Sequence, residues 1–268
     1  ELELAQDNFP EVDAINFADL GSMHVRFDMA NNIAPQFDLR NDPGDSITIN
    51  VVAARSGAVL NGLPQMHYTM EANPLFNDYR TAPTTGVVTG QQVYFAPGQP
   101  VADKFAFDLP DSGLLFPGDV LHYYFSAADD VAGDIRTTTL PADLTGYGDF
   151  SGPHSYASSY VVHALPSIRS DGFGGFETPP ILFWNDFGNR GGQDEWYQAL
   201  NNLGLRAGVD YDIYYTNAPS SGVGNGIGGR TSGLALEPYS DLLYTSGDLF
   251  SFTISGGPDA YGWGGDAG

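Results

Sequence analysis

Between residues 20 and 165 the chain divides into short β-forming runs separated by turn signals every 8–15 residues, with no convincing helical run between them. This spacing favours antiparallel sheets, because a hairpin needs only a few turn residues whereas parallel pairing needs a long crossover. Residues 22–29 alternate, with Met23, Val25, Phe27 and Met29 on one face and His24, Arg26 and Asp28 on the other. Residues 46–54 follow the turn Asn41-Asp42-Pro43-Gly44-Asp45, and further runs cover 65–70, 91–96, 104–109, 120–127 and 156–163. The clearest is 119–130 (DVLHYYFSAADD), entered by the turn Pro117-Gly118. Tyr123, Tyr124 and Phe125 are consecutive there, so at least one must leave the core face. About seven short strands of this kind predict an antiparallel β-sandwich over 20–165, preceded by an N-terminal extension, 1–19.

Residues 166–180 read as a linker, rich in Gly, Pro, Ser and Asp and without periodicity. The texture then changes. Residues 181–185 (ILFWN) form a continuous apolar run, as expected of a strand buried on both faces. A Gly-rich loop leads to 193–203 (QDEWYQALNNL), where Trp196, Leu200 and Leu203 share one helical face and Gly204 stands where a helix would stop. Residues 211–216 (YDIYYT) predict a second strand, 231–239 a short helix and 241–245 (DLLYT) a third strand. The order strand–helix–strand–helix–strand begins a parallel, Rossmann-like α/β unit over 181–268. The expected class is therefore mainly β plus α/β, with an incomplete parallel sheet. Three strands make a poor independent core, so a fragment of a longer chain or completion by a neighbour is expected.

Charge excludes whole classes of partner. The 33 Asp and Glu against 10 Lys and Arg give a net charge of −23. Such a chain lacks the cations that nucleic-acid backbones and anionic membrane surfaces require. No apolar run reaches the length of a bilayer span, so membrane insertion is not expected. Twenty-six of the acids are Asp and Lys104 is the single lysine, a surface suited to saline or calcium-containing surroundings. Cysteine is absent, which removes disulfides, thiolate nucleophiles and Cys-ligated metals. The first residue is Glu1 rather than Met, which suggests a processed or truncated start and a signal peptide already removed.

Two groups of residues could carry chemistry. Ligands in open α/β sheets bind beyond the carboxyl ends of the strands. Asp186, Asn189, Arg190 and Asp194 would face that crevice, joined by Asn217 and Asp248 from the next strand ends. Capping of loops and helices by the same Asp and Asn side chains is the plainer alternative. The loop 220–230 (SSGVGNGIGGR) has five glycines but matches no phosphate-binding pattern; Arg230 alone could clamp an anion. The second group is the Asp-rich turns, where Asp42 and Asp45, or Asp129, Asp130 and Asp134, could offer oxygens to calcium, the one cofactor the sequence suggests. Solvated turns are the alternative. None of His24, His67, His122, His154 and His163 stands at a zinc-ligand or triad spacing, and strand histidines on an outer face are ordinary.

On GDVLHYYFSAADD in the first half, and on ILFWNDFGNRGGQDEWYQALNNLGLRAGVDYDIYYTNAPSSGVGNGIGGR with LEPYSDLLYTSGDL in the second, the chain resembles modular secreted or cell-surface bacterial proteins. In these an immunoglobulin- or fibronectin-like sandwich precedes a Rossmann-like, glutamine-amidotransferase-like domain. The resemblance spans most of residues 40–255 and implies an extracellular or cell-surface location. The amidotransferase-like fold usually carries a Cys nucleophile, so without cysteine that activity is not carried over, nor is that of gingipain-type cysteine proteases. The expectation is a non-enzymatic structural or assembly component of a surface or filament-forming protein, associating with itself, with other surface proteins or with glycans. The alternative is a carbohydrate- or calcium-dependent binding module of a larger secreted hydrolase. A third reading is a hydrolase using Asp186 with Asp194 or Asp248.

Overall fold

A computed structural model of the chain describes residues 2–6, 22–24, 47–53, 55–110, 113–152, 155–157, 160–186, 192–216 and 236–245. The first sheet has the order β1 (Leu2–Gln6), β3 (Ile47–Ala53), β8 (Gln99–Phe107), β7 (Gln91–Ala96), all antiparallel. In the second, β9 (Val120–Val131) is central. One side of β9 carries β5 (Gln65–Glu71), with β6 (Thr85–Thr89) beyond it, and the short β4 (Val59–Leu60). The other side carries β10 (Asp134–Leu140) and β11 (Val161–Leu165), and β2 (Ser22–His24) joins β11 in parallel.

Period-two alternation explains how the two sheets meet. Leu121, Tyr123, Phe125 and Ala127 of β9 turn inward with Met66, Tyr68 and Met70 of β5. They meet Ile47, Ile49 and Val51 of β3 and Phe105 and Phe107 of β8 in one buried cluster. Phe107 and Phe125 bridge the sheets with ring centroids 5.0 Å apart. Each such side chain contributes about 1.5–3 kcal/mol by burial. Tyr124 is the aromatic that leaves the core, stacking on His67 at 4.5 Å and meeting Tyr147 edge-on.

The turn into β9 is fixed by a buried ionic knot. Asp119 accepts from the Asn73 N–H at 2.6 Å, the Phe116 N–H at 2.7 Å and Arg80 Nη2 at 2.9 Å. Arg80 also donates to the Leu114 carbonyl, and its guanidinium lies 4.8 Å over the Phe116 ring. Asn73 caps the short 3-10 helix Pro74–Tyr79 and donates through Nδ2 to the carbonyls of Pro117 and Ile168.

In the second half, β14 (Ile181–Asp186) lies between β15 (Tyr211–Thr216) and β16 (Asp241–Thr245), with all three strands parallel. The helix α1 (Gln193–Asn202) connects β14 to β15. It ends as expected: Gly204 takes φ +78° and donates to Asn201 O, while the Leu205 N–H reaches Leu200 O, closing a Schellman motif.

Several expectations differ from the structure. The segment read as an N-terminal extension contributes β1, paired with β3 from Leu2 opposite Ala53 to Gln6 opposite Ile49. The stretch read as a linker holds a small hairpin, β12 (Arg169–Ser170) with β13 (Phe176–Glu177). The buried face of α1 is carried by Tyr197 and Leu200, while Trp196 is 37% and Leu203 74% exposed. Tyr197 takes the inner position because its ring packs edge-on against Phe183 at 5.5 Å and its hydroxyl accepts from Asn185 Nδ2 at 3.2 Å. Strands β6 and β10 were not foreseen; β10 fell within the Asp-rich and Thr-rich stretch. Most of the helix expected over 231–239 lies outside the described residues.

Candidate functional site

The outer face of the β9 sheet leads to a cleft of about 700 Å³ shared by the two halves of the chain. Registers set its floor: Val120 lies between Glu71 and His163, and His122 between Thr69 and Val161. Glu71, Val120, His122, Val161 and His163 all line the cleft. The opposite wall is the turn from α1 into β15, including Arg206, Gly208, Val209 and Asp212. Phe150, Ser151 and Gly152 close one flank, and Asn73, Gly118 and Ile168 another, the latter held by the Asp119–Arg80 knot.

His122 is a wall residue rather than an open base. It is 3% exposed, with Phe150 at 4.2 Å and Tyr156 at 4.9 Å, and its Nδ1 accepts from the Gly148 N–H at 3.2 Å. Burial pushes its pKa down to about 4, against the opposing pull of the Asp149 charge and the Gly146 backbone. The imidazole is therefore neutral at pH 7. Glu71 sits at the rim with its carboxyl pKa raised by partial burial.

Asp212 is the deepest charge-bearing group of the cleft at 1% exposure. Its Oδ2 accepts from the Ser167 N–H at 2.9 Å and from the Tyr239 hydroxyl at 2.6 Å, joining the segment after β11 to β15 and to the segment before β16. Its Oδ1 is buried and has no hydrogen-bond partner among the described residues. Burial raises the Asp212 pKa in spite of the opposing pull of Ser167, through side chain and backbone, and of the Tyr239 hydroxyl. A half-satisfied buried carboxyl is costly unless something else compensates it.

The residues singled out from the sequence are dispersed. Asp186 ends β14 opposite Thr216, with Asn185 opposite Thr245, so the three parallel carboxyl ends do lie side by side. Gly192, at the start of α1, adjoins them: a Cβ there would lie 3.7 Å from Thr245 Oγ1. Asp194 is exposed in the first turn of α1. Asn189, Arg190, Asn217, Arg230 and Asp248 lie outside the described residues, as do Asp42 and Asp45. Asp129 and Asp134 converge, but on the chain's own cation. Arg55 donates from Nε to Asp129 Oδ2 at 2.8 Å and from Nη1 to Asp134 Oδ2 at 2.7 Å. Asp130 accepts from the Gly133 N–H at 2.6 Å, tightening the turn between β9 and β10. Among the described residues no group of three or more His, Asp or Glu is arranged to hold a metal ion.

Sequence reasoning missed Glu71, His122, His163 and Asp212 as members of one site. The available signal was strand parity, which puts His122 on the face opposite Tyr123 and Phe125; the half of the chain covering that face could not be read. The chain matches no protein-family model, no curated protein and no solved structure.

Proposed function

We propose that this chain is a non-enzymatic component of an extracellular or cell-surface protein, and that it works by holding a small polar ligand between its halves. The carrying observation is the 700 Å³ cleft, a volume typical of small-molecule sites, in which apolar walls surround a few polar groups. The engagement of His122 by Gly148 and its aromatic neighbours favours binding over proton transfer. In this reading the first half is an immunoglobulin-like sandwich and the second the start of a Rossmann-like unit. The parallel order β15–β14–β16 with α1 after its central strand supports the latter. The extracellular placement rests on the resemblance and on the acidic composition.

Gly152 offers a test. It lines the cleft without a left-handed φ, and a Cβ there would meet nothing within 4 Å. Gly152→Trp is therefore expected to fold and to obstruct the cleft. Amide chemical shifts are to be followed while small sugars, amines and carboxylates are titrated. One class is expected to move the amides of Gly118 and Ala207–Val209 in the parent but not in the Gly152→Trp chain. No movement with any class, or equal movement in both chains, rejects the reading.

The assembly role keeps a specific observation in its favour. Strands β6 and β7 are the terminal strands of their sheets at one edge of the sandwich, and they expose Val87 (54%), Tyr94 (57%) and Phe95 (85%). Terminal strands with exposed apolar side chains pair readily with a second copy. Mass photometry is expected to show oligomers that Phe95→Lys dissolves; a monomer at all concentrations rejects this role.

A further inference from the structure

We infer that the group bound in the cleft is an organic cation, a primary ammonium or a guanidinium, received by the Glu71 carboxylate in the cleft that Asp212 also lines. The inference rests on the cleft being a ligand site and adds the chemical class of the ligand. Four observations carry it. The Glu71 carboxylate has no hydrogen bond or ion pair among the described residues. Asp212, 1% exposed, lines the cleft with one carboxyl oxygen unpartnered among the described residues. Among the described residues the single Arg or Lys lining the cleft, Arg206, is already held by Asp210, which accepts from its backbone N–H at 2.9 Å and from its Nε at 3.3 Å. The chain as a whole carries −23, and low-dielectric cleft walls focus such a field.

Alternatives fit less well. An anionic ligand would meet two carboxyl groups and a guanidinium already compensated. A metal ion would need a convergent oxygen or nitrogen set, which the described residues lack. A neutral polyol would leave the Glu71 carboxylate without countercharge. Burial raises the pKa of both groups, and an entering cation reverses that effect by stabilising their ionised forms.

The test uses agmatine, which carries both cationic groups, with mannitol and succinate as neutral and anionic comparators. A capped pentapeptide with one central arginine distinguishes a free amine from a macromolecular side chain. Calorimetric titration at physiological ionic strength, where the Debye length is about 8 Å, suppresses diffuse attraction to the acidic surface. Saturable one-to-one agmatine binding is expected, weakened about tenfold or more by Glu71→Gln, as for loss of a charge-assisted contact. Asp103→Asn removes the same charge from an exposed position on the other sheet and is expected to change nothing. Tighter binding of the peptide than of agmatine also supports the cation and identifies a macromolecular source. Equal weakening by Asp103→Asn overturns the inference, as does binding unaffected by Glu71→Gln. Binding of mannitol or succinate alone overturns the cation while leaving the cleft as the ligand site. Failure of all four probes to move the cleft amides removes both readings.

Discussion

Replacing Asp119 by Ala should be among the most damaging single changes in the sandwich. The carboxylate is fully buried and its partner Arg80 is 6% exposed, so the change leaves a guanidinium inside the protein without countercharge. It also removes the Asp119 acceptor from the N–H groups of Asn73 and Phe116. Removing one member of a buried pair costs about 3–5 kcal/mol, and two donors that lose this acceptor at about 1–3 kcal/mol each place the same change at the upper end. For a chain of this size that corresponds to a fall in Tm of roughly 6–20 °C. The assay is chemical and thermal unfolding of the parent, Asp119→Ala, Arg80→Met and the double variant. Because the second change removes the stranded charge, the double variant should be more stable than Asp119→Ala alone. A loss below about 1 kcal/mol for Asp119→Ala, or strict additivity in the cycle, would refute the idea that the knot acts as one desolvated unit.

His122 links stability to pH. Its folded pKa of about 4 lies below the ordinary value of 6.5, so the unfolded chain binds the extra proton and stability should fall as pH drops through that window. The slope from this group is at most about 1.4 kcal/mol per pH unit, and His122→Gln should remove it, leaving the contribution of His67, whose pKa is also lowered, and the opposing ones of Glu71, Asp119 and Asp212, whose pKa values burial raises. Unchanged slope in urea titrations of the His122→Gln chain would reject the assignment. Gly146→Ala should displace the loop over the cleft flank: Gly146 has φ +84°, and a Cβ there would overlap the Ser155 carbonyl. The expected sign is loss of stability with faster amide exchange at Gly148 and Phe150, and a neutral result by hydrogen exchange would show that the loop packs differently.

The fold was legible where local chemistry and tertiary environment agree. The Pro117-Gly118 turn, the alternation through Leu121, Tyr123 and Phe125, the apolar run of β14 and the Gly204 stop each carry their signal within a few residues. It was illegible where a partner decides. Residues 134–140 are mostly exposed and carry three threonines, and they become a strand because Asp134–Leu140 pair along Val131–Phe125. The face of α1 was misplaced by one position because Trp196 and Tyr197 are both aromatic, and only the position of Phe183 and Asn185 selects Tyr197.

The cleft was hidden for a stronger reason. Glu71, His122, His163 and Asp212 come from four strands, and no two of them are closer than 41 residues in the chain. Each has an ordinary local reading: a strand-end carboxylate, two outer-face imidazoles, and an acid between Tyr211 and Ile213. What changes their meaning is the covering of the β9 outer face by the segment around Phe150 and by the turn before β15. Burial then alters protonation, of His122 beneath Phe150 and Tyr156 and of Asp212 in β15, and it leaves Asp212 Oδ1 short of a partner among the described residues. Asp212 is held by Tyr239 of its own unit and by Ser167 from the segment after β11, so both halves contribute to the setting that desolvates this carboxyl. A ligand that meets the demand of this carboxyl from within the cleft would touch both halves and so hold them together.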